Sequence, residues 1–173
     1  MLALAAALAG QTNWHMLKAP QRPVLIAACV VAGFILSIAV TLPFYDWLSI
    51  EVFGARPQKF NAGINLDETR LTPFLISDFV MTLIVAPVVE EYLARGVLAE
   101  RLANLPRWQI ALWCISFFCV VHYMGCGLMK VAFVLPMSIA FTAIRMLLGS
   151  WKYPMADHVG ANPAAALVFY RLL

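Results

Sequence analysis

VLIAACVVAGFILSIAVTLPFY, residues 24–45, decides the fold. These 22 residues carry no charge. At 1.5 Å per residue, a helix of that length crosses the ~30 Å hydrocarbon core of a bilayer. A helix is the form expected, because in lipid every backbone amide must find its partner inside the segment. The rest of the chain agrees. The protein has 173 residues, of which 63% are hydrophobic and 12% charged, with a mean hydropathy of +0.84. A soluble domain is nearer half apolar and a quarter charged. The composition therefore implies an all-α, polytopic integral membrane bundle of about five spans.

Working outward, "QTNWHMLKAPQRP" (11–23) is polar and Pro-punctuated, hence a loop. The preceding "MLALAAALAG" (1–10) is too short to span and lacks a basic start, so it reads as an interfacial helix or the stub of a span. Residues 46–70 concentrate Asp46, Glu51, Arg56, Lys59, Asp67, Glu68 and Arg70 around turn signals, which predicts an extramembrane loop. A second helix is expected from near Leu71 to Asn104, stopped by Leu105-Pro106. A third runs from Trp108 to Tyr123, where "GCG" (125–127) interrupts it. A fourth covers Leu128 to Leu148, and "GSWKYP" (149–154) turns the chain into a final helical segment. The organisation is thus an N-terminal segment, 1–70, with one span and a polar loop, and a membrane core, 71–173.

The net charge of +3 suits loops at anionic headgroups better than a nucleic-acid surface. Cationic residues divide six to five between the two sides, which barely orients the chain under the positive-inside rule. The four cysteines, Cys29, Cys114, Cys119 and Cys126, form no metal-binding spacing and read as small buried hydrophobes. A Cys119/His122 nucleophile pair is the sharper alternative. The HExxH spacing of zinc proteases is absent, and no cofactor or metal is expected.

Ionisable groups at membrane depth are expensive and mark functional sites. "EEYLAR" (90–95) places Glu91 and Arg95 at i,i+4 with the acid first, a favourable pair that leaves Glu90 facing elsewhere. Glu90 lies 14 residues before Asn104 and His122 lies 14 residues after Trp108. In an antiparallel hairpin both sit ~21 Å from the turn, at one depth. Such a carboxylate–imidazole pair can hold and deprotonate a water. "HVGAN" (158–162) puts His158 and Asn162 at i,i+4, where two donors can meet a developing oxyanion. Equally, Asn162 before Pro163 reads as a helix N-cap, with His158 in the preceding turn. The short connection between the fourth and final helices also puts His158 close to a turn, shallower than Glu90 by these span limits. Asp78, some 120° around the helix from Glu90, reads as a packing partner.

The order of "EEYLAR" (90–95), "FCVVH" (118–122) and "HVGAN" (158–162) resembles the CAAX-protease and bacteriocin-processing family, which includes the type II CAAX prenyl endopeptidases. The resemblance covers roughly residues 71–170. It implies a metal-independent glutamic intramembrane protease of a prokaryotic cytoplasmic membrane, acting on a membrane-associated peptide or protein. In it Glu90 activates water, His122 helps bind that water, and His158 with Asn162 stabilises the oxyanion. Glu91 and Arg95 support the site, and Phe118 is a packing residue one turn below His122. The alternatives are a non-catalytic immunity or regulatory protein of the same fold and a proton-relaying transporter. The absence of visible inverted repeats disfavours the transporter.

Overall fold

The structure, a computed structural model, describes residues 22–54 and 80–169. The expectations for residues 1–21, the loop at 55–70, the start of the second helix and Asp78 lie outside the described residues.

Five helical rods build the described fold. They are α1 (Pro23–Val52), α2 (80–101), α3 (Arg107–Cys126), α4 (Leu128–Leu148) and α5 (Lys152–Phe169). No strand occurs among the described residues. Three of the rods, α1, α3 and α4, are long and apolar enough to cross a membrane. The other two, α2 and α5, carry the charged motifs. Polar as well as apolar side chains are buried, and many large apolar ones are exposed. Val31, Ile35, Trp113, Val120 and Ile139 are exposed, whereas Ser37, Thr41, Arg95, Ser138 and Thr142 are buried. Exposed apolar side chains suit a lipid surface, and inside the bundle Arg95 bonds to Ser138 and Thr142 across helices.

The helix ends follow local chemistry. Pro106 starts α3, and Gly127, at φ +78°, ends it with a conformation that side chains with a Cβ avoid. Gly149, at φ +75°, closes α4 in the same way. The predicted limits of the fourth helix agree with the observed ones.

Three expectations need correction. First, α1 does not end before Asp46; it runs on to Val52 and takes Asp46 and Glu51 into the helix. Charged residues on an exposed face leave backbone hydrogen bonding intact, so they did not break the rod. Second, Asn162 is not an N-cap. α5 is continuous from Lys152 to Phe169 with Pro163 inside it. Third, His158 is not shallow. The turn before α5 is sunk into the bundle: Ser150 and Trp151 are buried. The Trp151 indole lies against Gly96 and edge-on to Tyr92, with ring centroids 5.3 Å apart. From that level, six residues back along α2 and seven forward along α5 reach Glu90 and His158 respectively, both ~10 Å away.

Sequence periodicity also gave no hint of wide, π-type turns in α1 and α2. Two of them, Ser37–Thr41 and Met81–Val85, are each followed by a segment with proline at its second residue, Pro43 and Pro87, and another ends α1 at Leu48–Val52. Proline has no N–H for the helical ladder, and a wider turn absorbs the missing bond. A further wide turn, Tyr92–Val97, follows Glu91 and contains Arg95. Such turns are frequent at functional sites.

One core cluster draws on all five helices through Tyr45, Ala94, Phe118, Met137, Phe141 and Ala161, among others. α1 and α5 pack most intimately. A Cβ built at Gly33 would strike the backbone of Asp157, and one at Gly160 the backbone of Val30. Small residues permit this backbone approach, the usual basis of helix association in lipid. Gly160→Ala should therefore force the two helices apart. The expected loss is about 1–3 kcal/mol or more, as for overpacking. Thermal unfolding in detergent measures it, and Gly125→Ala, where nothing lies within reach of a Cβ, is the control.

Candidate active site

α2, α3 and α5 converge on one polar cluster. Glu90 Oε2 lies 3.8 Å from His122 Nε2 and 4.0 Å from His158 Nε2. The side chains of Glu90, His122 and His158 retain 22%, 15% and 7% exposure, so the cluster is recessed but reachable. The equal-depth expectation for Glu90 and His122 is met in space.

The partners of each imidazole define its tautomer. His122 Nδ1 lies 2.8 Å from the Phe118 carbonyl, which can only accept, so Nδ1 carries the proton. His158 Nδ1 lies 3.1 Å from Glu91 Oε1, again an acceptor. In the neutral state both rings therefore turn an unprotonated Nε2 toward Glu90. His122 Nδ1 is committed to the Phe118 carbonyl, and Cys119 packs against the core cluster.

Beside this cluster lies a fully buried ion pair. Arg95 Nη1 donates to Glu91 Oε1 at 2.6 Å, as their spacing predicted. Three donors of Arg95 also reach α4. Nη2 donates to Ser138 Oγ at 2.7 Å and to the Ser138 carbonyl at 3.1 Å, and Nε donates to Thr142 Oγ1 at 3.3 Å. The guanidinium carbon sits 4.5 Å from the Phe118 ring centroid and 5.5 Å from that of Phe141. Phe118 thus does more than pack. Its carbonyl fixes His122, and its face receives Arg95. Phe141 stacks on His158, centroids 4.7 Å apart.

Asn162 does not share a target with His158. Its Nδ2 donates to the Thr82 carbonyl at 2.9 Å, joining α5 to α2. In the wide-turn register the donor for that carbonyl would be residue 87, which is proline and has no N–H. Asn162 supplies the bond instead and keeps a second amide N–H in hand.

Sequence reasoning did not identify Ser138, Phe141, Thr142 or Thr82. Ser138 and Thr142 form an i,i+4 polar stripe in a stretch, Val131 to Ile144, that is otherwise apolar, a signal that was available. Thr82 acts through its backbone, which side-chain patterns cannot show. Among the described residues, no group of three or more His, Cys, Asp or Glu is arranged to hold a metal ion.

An all-α membrane bundle with an enclosed acid–imidazole cluster is the class this fold and site define. The family described as "Type II CAAX prenyl endopeptidase Rce1-like" matches residues 72–164, and the chain belongs to it. That family is one of proteases, and the match spans all three motifs. No curated protein and no solved structure matches the chain.

Proposed function

We propose that this protein is a glutamic intramembrane endopeptidase that hydrolyses a peptide bond in a membrane-associated peptide or protein. The observation that carries the reading is the approach of Glu90 to two anchored imidazoles, at 3.8 and 4.0 Å, in a recessed site. Glu90 is the base. It removes a proton from a water held also by the Nε2 lone pair of His122, and the water oxygen attacks the substrate carbonyl. The oxyanion develops on the side of His158 and Asn162, where the second Asn162 N–H donates to it. His158 can donate there only while its Nε2 carries a proton.

The reading needs no metal. Cleavage by the purified protein should survive chelation; activity lost to a chelator and restored by zinc would overturn that part. In cells, the termini of membrane peptides should differ between the native protein and Glu90→Gln, and identical termini would favour a non-catalytic role. Asn162→Ala should slow turnover by ~10²–10³-fold, the scale for one oxyanion donor. Because Asn162 also ties α5 to Thr82, thermal unfolding belongs beside the kinetics. A stability loss large enough to explain the whole effect would leave it only the structural role.

A further inference from the structure

We propose that a hydroxyl stripe on α1, with Asp157 of α5, binds a row of buried waters behind the active site and supplies the water that hydrolysis consumes. The supply role rests on the protease reading above; the bound waters do not.

Ser37, Thr41, Tyr45 and Ser49 follow one another at steps of four along α1, and all four are 0% exposed. Val31, Ile35, Val40, Trp47 and Ile50, on its other faces, are exposed. A regular α-helix would not keep such a stripe in line, because residues four apart drift by ~40° per step. The wide turns at Ser37–Thr41 and Leu48–Val52 take more residues per turn and swing the drift back. Three hydroxyls and a phenol are thereby held on one line facing the bundle.

A serine or threonine inside a helix can bond the carbonyl one turn back. Ser37 Oγ, Thr41 Oγ1 and Ser49 Oγ do not, and they have no hydrogen-bond partner among the described residues. Neither has either carboxyl oxygen of Asp157, a residue 1% exposed, nor Oε2 of the fully buried Glu91.

These orphaned atoms lead toward the site. α1 and α5 lie side by side and run the same way. The Arg22 amide donates to Tyr153 Oη at 3.4 Å, Gly33 meets Asp157, and Leu42 and Tyr45 share the core cluster with Ala161 and Ala165. Ser37 is therefore one turn past the contact with Asp157, Thr41 about two turns and Ser49 about four. The Asp157 carboxyl is within electrostatic reach of Cys29 on the same face of α1, and of His158 and Glu91. It links the stripe to Glu91, whose Oε1 holds Arg95 and His158 while Oε2 is unpaired.

Unpaired polar atoms buried in a membrane protein are costly. Water is small enough to reach each of them, and a buried water typically joins about three otherwise unsatisfied groups. A water seated in the helical ladder is also a recognised cause of irregular turns, and Ser37, Thr41 and Ser49 all sit in wide ones. Hydrolysis gives the row a use. Each turnover bonds a water oxygen to the carbonyl carbon as the C–N bond breaks, and a substrate seated over Glu90 covers the reachable side of the site. Replacement water then comes from behind.

Hydroxyl radicals made from bound water by a brief X-ray pulse read the row without any substrate. In the whole chain in detergent, Tyr45 and Cys29 should be oxidised several-fold faster than Cys114, although Tyr45 is as fully buried as Cys114. Cys114 is the control of like chemistry, buried in a separate cluster. Thr41→Val keeps the shape, removes the hydroxyl and should lower the labelling of Tyr45. Background labelling of Tyr45, Cys29 and Cys114 alike would mean a dry seam and overturn the proposal. The thermal midpoint supplies a sign. Removing an unpaired buried hydroxyl stabilises a protein, whereas removing one that water has paired does not. Thr41→Val should leave the midpoint unchanged or lower it, and a rise would overturn the row. For the supply role, the double variant Ser37→Ala, Thr41→Val should cleave an S-prenylated peptide about three- to tenfold more slowly in single turnover with Kd unchanged, the scale of one or two lost hydrogen bonds. A native rate in a double variant that has lost the labelling would overturn the supply role. A native protein that cleaves no peptide would fail the protease reading alone, because the labelling needs no cleavage.

Discussion

Glu90→Gln should give a folded, substrate-binding protein that does not cleave. The glutamine keeps the shape and much of the hydrogen bonding of glutamate but cannot take the proton of the attacking water. Loss of the base predicts a fall in single-turnover rate of ~10²–10⁴-fold or more. Stability should hardly change, because Glu90 is partly exposed and its nearest imidazole nitrogens lie at 3.8 and 4.0 Å, beyond direct hydrogen bonding. Thermal unfolding and single-turnover cleavage of the same preparation separate the two effects. A variant that cleaves at the native rate would remove Glu90 from the chemistry.

Glu91→Gln, one residue on, should fail in the opposite order. Glu91 is fully buried, and its Oε1 takes both the 2.6 Å bond from Arg95 and the 3.1 Å bond from His158. Removing its charge leaves a guanidinium buried in the bundle opposed only by the hydroxyl and carbonyl oxygens of α4 and two aromatic faces. Breaking a buried pair by removing one partner costs about 3–5 kcal/mol. The thermal midpoint in detergent should fall accordingly, and the fraction that still folds should retain partial activity. A Glu91→Gln protein that is stable but dead, beside a Glu90→Gln protein that cleaves, would exchange the two roles.

Several elements were legible because their signals are local. The uncharged run at 24–45 reads as a span from its length alone, and the Gly-closed ends of α3 and α4 follow from residues that tolerate positive φ. The Glu91–Arg95 pair follows from helical spacing within one segment, and it survives even though a wide turn begins at Tyr92. The equal depth of Glu90 and His122 needed only a hairpin and a rise per residue.

Where local signals competed, tertiary packing chose. Asn-Pro at 162–163 is a plausible helix start by propensity, yet the chain stays helical through it, and Asn162 turns to the Thr82 carbonyl on another helix. Asp46 and Glu51 resemble loop residues, yet α1 continues past them. The depth of His158 could not be counted from the turn before it, because that turn sinks behind Trp151 into the space left by Gly96. No span limit encodes such a displacement.

The sequence by itself determined an all-α membrane bundle, the family, and the ionisable side chains that lipid would not otherwise tolerate. Only the tertiary structure decided which of them face each other. It set Glu90 before two imidazoles, seated His158 on Glu91, turned Asn162 to the Thr82 carbonyl, and tied Arg95 to Ser138 and Thr142. The physical reason is range. Hydropathy and helical period act within one segment, whereas a buried charge takes whatever partner the packing of five helices brings within hydrogen-bond distance.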